Sequence, residues 1–274
     1  MYYDPIKQTL GLVFNRWLFT RRLFYRLLDI LLLRTWHIHR ELKGYFRHMQ
    51  AKNNVHVLDA GSGFGQYSHY IARRNPDWKI TGVDLKEEEI ASCRRFFAKS
   101  KLTNVDFQLA DLLHFRRESF YDLIISVDVM EHIENDRTVF RNFFDSLKPG
   151  GLLLVNTPSD KGGSGVTDKE DTSFISEHVR DGYGMEEIRE KLLVAGFSAV
   201  EMKYTYGLPG SISWRISMKY PILLLGTSRL FLIILPLYYL FMMPFALILN
   251  FLDVRLNHSS GTGLLVKAWK PSKA

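Results

Sequence analysis

The sequence holds one cysteine, Cys93, in 274 residues. A lone cysteine excludes an intrachain disulfide and any cysteine-built zinc cluster. Cys93 falls in a helical pattern after the second strand-like run, where it reads as buried filler rather than a nucleophile. A continuous secretory h-region is also missing, because Arg16, Arg21, Arg22 and Arg26 interrupt the N-terminal apolar residues. There is no internal repeat and no low-complexity segment, which excludes a solenoid. Charge is absent from one long stretch only: Leu230 to Leu252, 23 residues.

What charge there is lies unevenly. Residues 1–52 carry ten Lys or Arg against three Asp or Glu, and residues 53–274 carry 26 of each. The whole net charge of +7 therefore sits in the N-terminal segment. Such a segment calls for an anionic partner close by, either lipid headgroups or nucleic acid.

Residues 53–207 alternate short apolar runs with helical patterns. Strands are expected at 55–60, 79–85, 105–110, 122–128 and 151–157, with helices near 66–74, 86–100, 136–147 and 184–195. Gly150-Gly151 reads as the turn that stops the fourth helix and starts the fifth strand. Two more strands are expected at 198–206 and 263–270. Strands separated by helices imply a doubly wound, mostly parallel, Rossmann-like seven-stranded α/β sheet. Its ligand site would lie at the strands' carboxyl ends, near the switch point. The domain division expected is a basic helical segment (1–52), a core (53–207), an apolar helical insertion (208–257) and a final core strand (258–274).

The first strand ends in VLDAGSGFGQ. Gly61, Gly63 and Gly65 let the backbone turn sharply and approach a ligand closely. A dinucleotide fingerprint would place a small residue at 66, where this chain has Gln66. Asp59, just before the loop, disfavours a pyrophosphate and suits a cation. S-adenosylmethionine (SAM), with its ammonium and sulfonium, is such a ligand. Asp84 closes the second strand, where a carboxylate can accept ribose hydroxyls. Ala110-Asp111 closes the third and offers an edge for adenine.

These motifs, with YDLIISVDVMEHI and LKPGGLLLVNTPS, resemble those of the class I SAM-dependent methyltransferases. Among them the chain is most similar to the group that includes the quinone-biosynthesis (type 11/12) methyltransferases. The resemblance implies that Asp59, Gly61, Ser62, Gly63 and Gly65 line the methionine end of SAM. It places Asp84 and Leu85 at the ribose, Ala110 and Asp111 at the adenine, and Asp128 and Val129 beside the methyl donor.

Methyl transfer from a sulfonium needs orientation and exclusion of water and, for a poor nucleophile, removal of a proton. An Asn/Asp-Pro-Pro-aromatic run for adenine methylation is absent after the fourth strand, and Cys93 is misplaced for cytosine C5 chemistry. His132 and Glu131 follow the fourth strand. His178 ends a Gly/Ser/Asp-rich segment (159–176) that reads as a lid. Each is a candidate base, the alternative for the histidines being a structural role. Arg180 is a candidate for an anionic headgroup, with a surface salt bridge as the alternative. No metal is required.

The stretch 230–252 is long enough to span a bilayer. A single span would leave the last strand on the wrong side, and Pro236 and Pro244 break the pattern. A helical hairpin entering one leaflet is therefore expected, a buried cap or a dimer interface being the alternative. Over 14–34, Arg16, Arg22, Arg26, Asp29 and Arg34 share one arc of a helical wheel. Phe14, Trp17, Leu18, Phe24, Leu28, Leu31 and Leu32 share the other, while Phe19, Arg21 and Ile30 spoil the separation. This reads as an interfacial anchor on the cytoplasmic side of a membrane, with RNA binding as the rival. The acceptor expected is lipophilic: a prenylated quinol precursor, a lipid headgroup or a long-chain aromatic. The rivals are a soluble RNA or small-molecule methyltransferase and a non-catalytic binding protein. Oligomeric state is not legible.

Overall fold

A computed structural model describes residues 18–50, 52–162, 179–228 and 230–272. Two helices, α1 (Leu18–Leu31) and α2 (Leu33–His48), precede the sheet. The core follows as β1 (His56–Ala60), α3 (Gln66–Arg74), β2 (Lys79–Asp84), α4 (Glu87–Lys99), β3 (Val105–Leu109), β4 (Tyr121–Val127), α5 (Asp136–Ser146), β5 (Leu147–Pro158), α6 (Met185–Ala195) and β6 (Ala199–Thr205). Next come α7 (Leu208–Trp214), a π-helical turn (Arg215–Lys219), α8 (Tyr220–Thr227) and α9 (Phe231–Arg255). The last strand is β7 (Gly263–Trp269).

The sheet order is β3-β2-β1-β4-β5-β7-β6, parallel except for β7, which runs antiparallel to β5 and β6. The order reverses between β1 and β4, so the loops leaving these two strands open side by side. Both faces are covered. Leu58, Ile124, Leu153 and Val266 pack with Phe140, Phe143 and Leu192 on one side. Val57, Leu123, Leu154 and Leu265 pack with Ile38, Leu42, Tyr70 and Ile71 on the other. Adjacent residues of a strand point to opposite faces, so burial on both sides demands unbroken apolar runs. That is why these strands carry no alternating pattern.

Three expectations are corrected. Gly150-Gly151 lies within β5 rather than before it. The strand starts at Leu147, and the register shifts between the pairs Tyr121–Leu147 and Leu123–Leu152 to accommodate the extra residues. Pro236 and Pro244 do not end α9, which runs unbroken through both. Each proline removes one ladder hydrogen bond, and the remaining bonds of a 25-residue helix carry the structure across the gap.

The third correction concerns the N-terminal wheel from Leu18 on, since its Phe14, Arg16 and Trp17 lie outside the described residues. Arg21 and Tyr25 are the buried residues of α1, and Leu18 and Phe24 pack on the core beside them. Phe19, Leu23, Leu27 and Ile30 face out. The arginine that spoiled the expected separation marks the inner face.

A helical hairpin does lie between β6 and β7. The limb α7–α8 runs out and α9 runs back, joined at several levels. Ser213 Oγ donates to the Ala246 carbonyl at 3.1 Å. Tyr238 and Tyr239 hydroxyls donate to the carbonyls of Ile216 and Ser217 in the π-helical turn, at 2.6 and 3.0 Å. At the base, Asp253 is fully buried. It accepts from the Gly210 N–H at 2.9 Å and meets His37 Nε2 at 2.8 Å and His258 Nε2 at 3.2 Å. The hairpin is thus bolted to α2 and to the loop before β7. Beyond that base, α9 is almost bare, with 6% of its most apolar 18-residue window buried.

Candidate active site

The loop leaving β1 is held from below by β2. The N–H groups of Gly61 and Ser62 both donate to the Val83 carbonyl, at 2.8 and 2.9 Å. Gly61 has φ +76°, and a Cβ there would fall 2.2 Å from Val129 Cγ2. Glycine is therefore required twice over, by its dihedral and by the approach of the β4 loop. Gly63, at φ +47°, differs: a Cβ would meet nothing within 4 Å, so its surface is open. Ser62 Oγ is buried without a hydrogen-bond partner in the described structure.

Asp84, at the tip of β2, is shaped for its place. Its Oδ2 accepts the Gly63 N–H at 2.8 Å and its Oδ1 accepts the Lys86 N–H at 2.9 Å. Leu85 beside it exposes 67% of its surface. Asp111, after β3, accepts the Leu113 N–H at 2.9 Å, and the Ala110 N–H donates to the Asp84 carbonyl at 3.1 Å. The tips of β2 and β3 are thereby tied together.

Asp59 is placed differently. It is buried behind the loop, and its Oδ2 accepts both the N–H and the hydroxyl of Ser68, at 3.0 and 2.6 Å. It fixes the first turn of α3 against the loop. Burial raises its pKa to about 6, against the opposing Ser68 hydrogen bonds, and the Asp84 charge adds to the rise. A carboxylate in this state gains from a nearby cation.

At the tip of β4, Asp128 takes φ +53°, an uncommon conformation for a residue with a side chain. It is ion-paired with Arg34 of α2 and accepts from Asn156 Nδ2 of β5 at 3.2 Å. Glu131 is buried, and its Oε2 accepts the Thr157 hydroxyl at 3.0 Å. Burial, then the Asp128 charge, push its pKa up to about 8. The Arg34 N–H donates to the Tyr206 hydroxyl at 3.1 Å. Arg34, Asp128, Asn156, Glu131 and Tyr206 form one polar group beside the glycine loop.

The remaining candidates fall as follows. His132 is exposed on the short 3-10 turn after β4. His178 lies outside the described residues, as do residues 163–176 of the expected lid. Arg180 is engaged elsewhere, paired with Asp136 and donating to the Ile133 carbonyl at 2.8 Å. Cys93 is buried against the loop. Sequence reasoning missed Arg34 as a site residue, along with Asn156 and Tyr206. For Asn156 a signal existed, a polar residue ending the apolar run of β5. Arg34 and Tyr206 gave none, because they arrive from outside the core motifs.

The residues present fit SAM. Gly63 leaves open space, Ser62 Oγ and Asn156 Oδ1 are buried polar atoms without partners in the described structure, and carboxylates stand at three strand ends. Among the described residues no cluster suits a metal ion.

Comparison with known proteins agrees. A family model described as a methyltransferase domain matches residues 51–193. Phosphoethanolamine N-methyltransferase 1 of Arabidopsis thaliana is 33% identical over 165 residues, covering 58% of this chain and 32% of that protein. (S)-coclaurine N-methyltransferase of Papaver somniferum is 31% identical over 111 residues, covering 40% and 32%. The chain thus spans about a third of the length of these relatives. Among solved structures, phosphoethanolamine N-methyltransferase 2 of Haemonchus contortus with S-adenosyl-L-methionine superposes with TM-score 0.60 at 18% identity, over 91% of this chain and 60% of that one. The plantazolicin methyltransferase BpumL superposes with TM-score 0.57 at 17% identity, over 92% and 91%. The likeness does not single out the quinone-biosynthesis group. The chain belongs to the methyltransferase-domain family of class I SAM-dependent enzymes.

Proposed function

We propose that this protein transfers the methyl group of SAM to a nitrogen or oxygen of a lipophilic acceptor at a membrane surface, on its cytoplasmic side. One observation carries the membrane part. The hairpin presents Leu232, Ile233, Leu237, Leu240, Phe241, Phe245 and Ile248 to the outside, each more than half exposed. Burying one such side chain is worth about 1.5–3 kcal/mol. A surface of this size calls for a hydrocarbon environment, and a leaflet supplies it. The base of the hairpin, at Tyr206 and Gly210, adjoins Arg34 and Asp128, so an acceptor in the leaflet would have a short path to the site.

Bound SAM supplies an electrophilic methyl on a good leaving group. The chain's own residues then orient the acceptor and manage its proton. Asp128 and Glu131 bring two carboxyls to the tip of β4. Such a pair favours an amine acceptor, because an ammonium arriving there relieves their mutual repulsion and Glu131 can take its proton. Relatives named as N-methyltransferases support the same choice. A lipid headgroup amine is therefore the first acceptor to test, ahead of a prenylated quinol precursor or a long-chain aromatic.

The test is to incubate the protein with methyl-labelled SAM and a total lipid extract. Label in an amine-bearing lipid is the expected result. Label only in added RNA or in water-soluble amines, with no protein on phosphatidylcholine vesicles, would overturn the reading.

A further inference from the structure

Helix α1 has two faces with different tasks. Its inner row, Arg21, Tyr25 and Asp29, recurs every four residues and reaches the glycine loop three times. Arg21 Nη2 and the Tyr25 hydroxyl both donate to the Phe64 carbonyl, at 2.7 and 2.5 Å. Asp29 Oδ1 accepts from Gln66 Nε2 at 2.8 Å. The loop segment 64–66 is thus gripped between Gly63 and the start of α3. Arg21 Nη1 also reaches Ser92 Oγ at 2.5 Å, tying the strap to α4.

The outer row is Phe19, Leu23, Leu27 and Ile30, exposed by 74%, 39%, 39% and 43%. At about 100° per residue these four fall within an arc of about 80°, opposite Arg21. Arg22 and Arg26, both exposed, border the stripe. An apolar stripe bordered by arginines matches an anionic bilayer surface, with the side chains in the acyl boundary and the guanidinium groups at the headgroups. A protein partner would not need the basic border, nor would RNA need the leucines.

We infer that α1 is a lipid-sensing strap: docking of its outer stripe on an anionic membrane holds its inner row on the glycine loop and so tightens SAM binding. The energetic balance makes this possible. Taking a guanidinium out of water costs several kcal/mol before its hydrogen bonds compensate. Hydrogen bonds to Tyr25, Ser92, the Phe64 carbonyl and Cys93 offset that cost for Arg21, and the extended residue Leu32 separates α1 from the firmly packed α2. Lipid contact on the outer stripe adds stabilisation that the core does not supply. Linkage requires the converse: SAM must strengthen the hold of α1 on anionic membrane by the same factor.

The inference rests on the membrane-surface reading for the presence of lipid, and the test separates the two. SAM dissociation constants are measured by calorimetry with the full chain on pure phosphatidylcholine vesicles and on vesicles with about one third phosphatidylglycerol. Binding on the anionic vesicles should be tighter by about fivefold or more. The double variant Leu23→Ser/Leu27→Ser, at exposed positions, should bind SAM equally on both vesicles, as should Arg22→Gln/Arg26→Gln. Equal SAM affinity of the unaltered protein on the two vesicle types would overturn the strap, as would variants that keep the difference. Failure to bind phosphatidylcholine vesicles would count against the hairpin alone. The comparison would then be anionic vesicles against none, and no effect on SAM affinity there would sink the strap.

Discussion

Arg34 and Asp128, 94 residues apart in sequence, form an ion pair between α2 and the tip of β4, beside the glycine loop. Each side chain is about a third exposed, at 34% and 28%. Solvent screens such a pair, so its contribution to stability is at most about 1 kcal/mol. Its consequence is positional: it holds Asp128 in a left-handed conformation and fixes α2 over the site. Arg34→Gln should change the melting temperature little while lowering kcat/KM for the acceptor by about tenfold or more, a loss of about 1.4 kcal/mol in transition-state binding. Unaltered steady-state kinetics would remove Arg34 from the site.

Gly61 and Val129 make a second testable pair. Gly61→Ala combines a left-handed L-residue, costing about 1–2 kcal/mol, with overpacking against Val129, costing about 1–3 kcal/mol. The variant should be destabilised and bind SAM weakly. Adding Val129→Ala should recover the packing part and leave the dihedral part, which a double-mutant cycle by chemical denaturation would show. Additive losses would mean the two loops do not touch in solution.

Asp59 predicts a pH dependence whose sign is fixed. Its folded pKa, about 6, lies above the ordinary 3.8, so the folded protein holds this proton more tightly than the unfolded chain. Stability from this group is therefore greatest at low pH, falls as pH rises from about 4 to about 6, and levels off above, a loss of about 2–3 kcal/mol. Asp59→Asn should flatten that window in denaturation curves. A cationic ligand favours the ionised form, so SAM affinity should rise through pH 6 with release of a proton, readable by calorimetry in buffers of different ionisation enthalpy. Proton uptake on binding would refute the placement of the cation near Asp59.

Glu131 predicts a kinetic profile. Its pKa, raised to about 8 in the free protein, makes it a competent base only when deprotonated, so kcat/KM should climb with pH and level off above about 8. Glu131→Gln should lower kcat by about 10²–10⁴-fold and abolish that limb while leaving SAM affinity intact. If the variant keeps both rate and limb, Glu131 merely holds Thr157, and His132 and His178 become the bases to examine.

The sequence by itself determined the sheet and its cofactor class. Apolar runs of strand length, the first four closing on Asp59, Asp84, Asp111 and Asp128, recur between helical patterns because a sheet covered on both faces leaves its central strands little room for polar interruption. The observed strands begin and end within a residue or two of expectation, except at the start of β5. Its turn glycines proved to be a bulge, which depends on pairing with β4 and not on local chemistry. The 23 uncharged residues announced a long apolar segment, and the need to bring the last strand back to the same sheet made it a hairpin.

Only the tertiary structure decided the rest. A helical wheel ranks residues by polarity, and on it Arg21 only spoiled the separation of the two arcs. The fold puts Arg21 inside, because the Phe64 carbonyl, Ser92 and Tyr25 supply the hydrogen bonds that let a guanidinium be buried. The pair Arg34 makes and the buried Asp253 under the hairpin both join residues distant in sequence. Local pattern reports how a segment would like to fold. Which polar atoms find partners is settled only when distant segments meet.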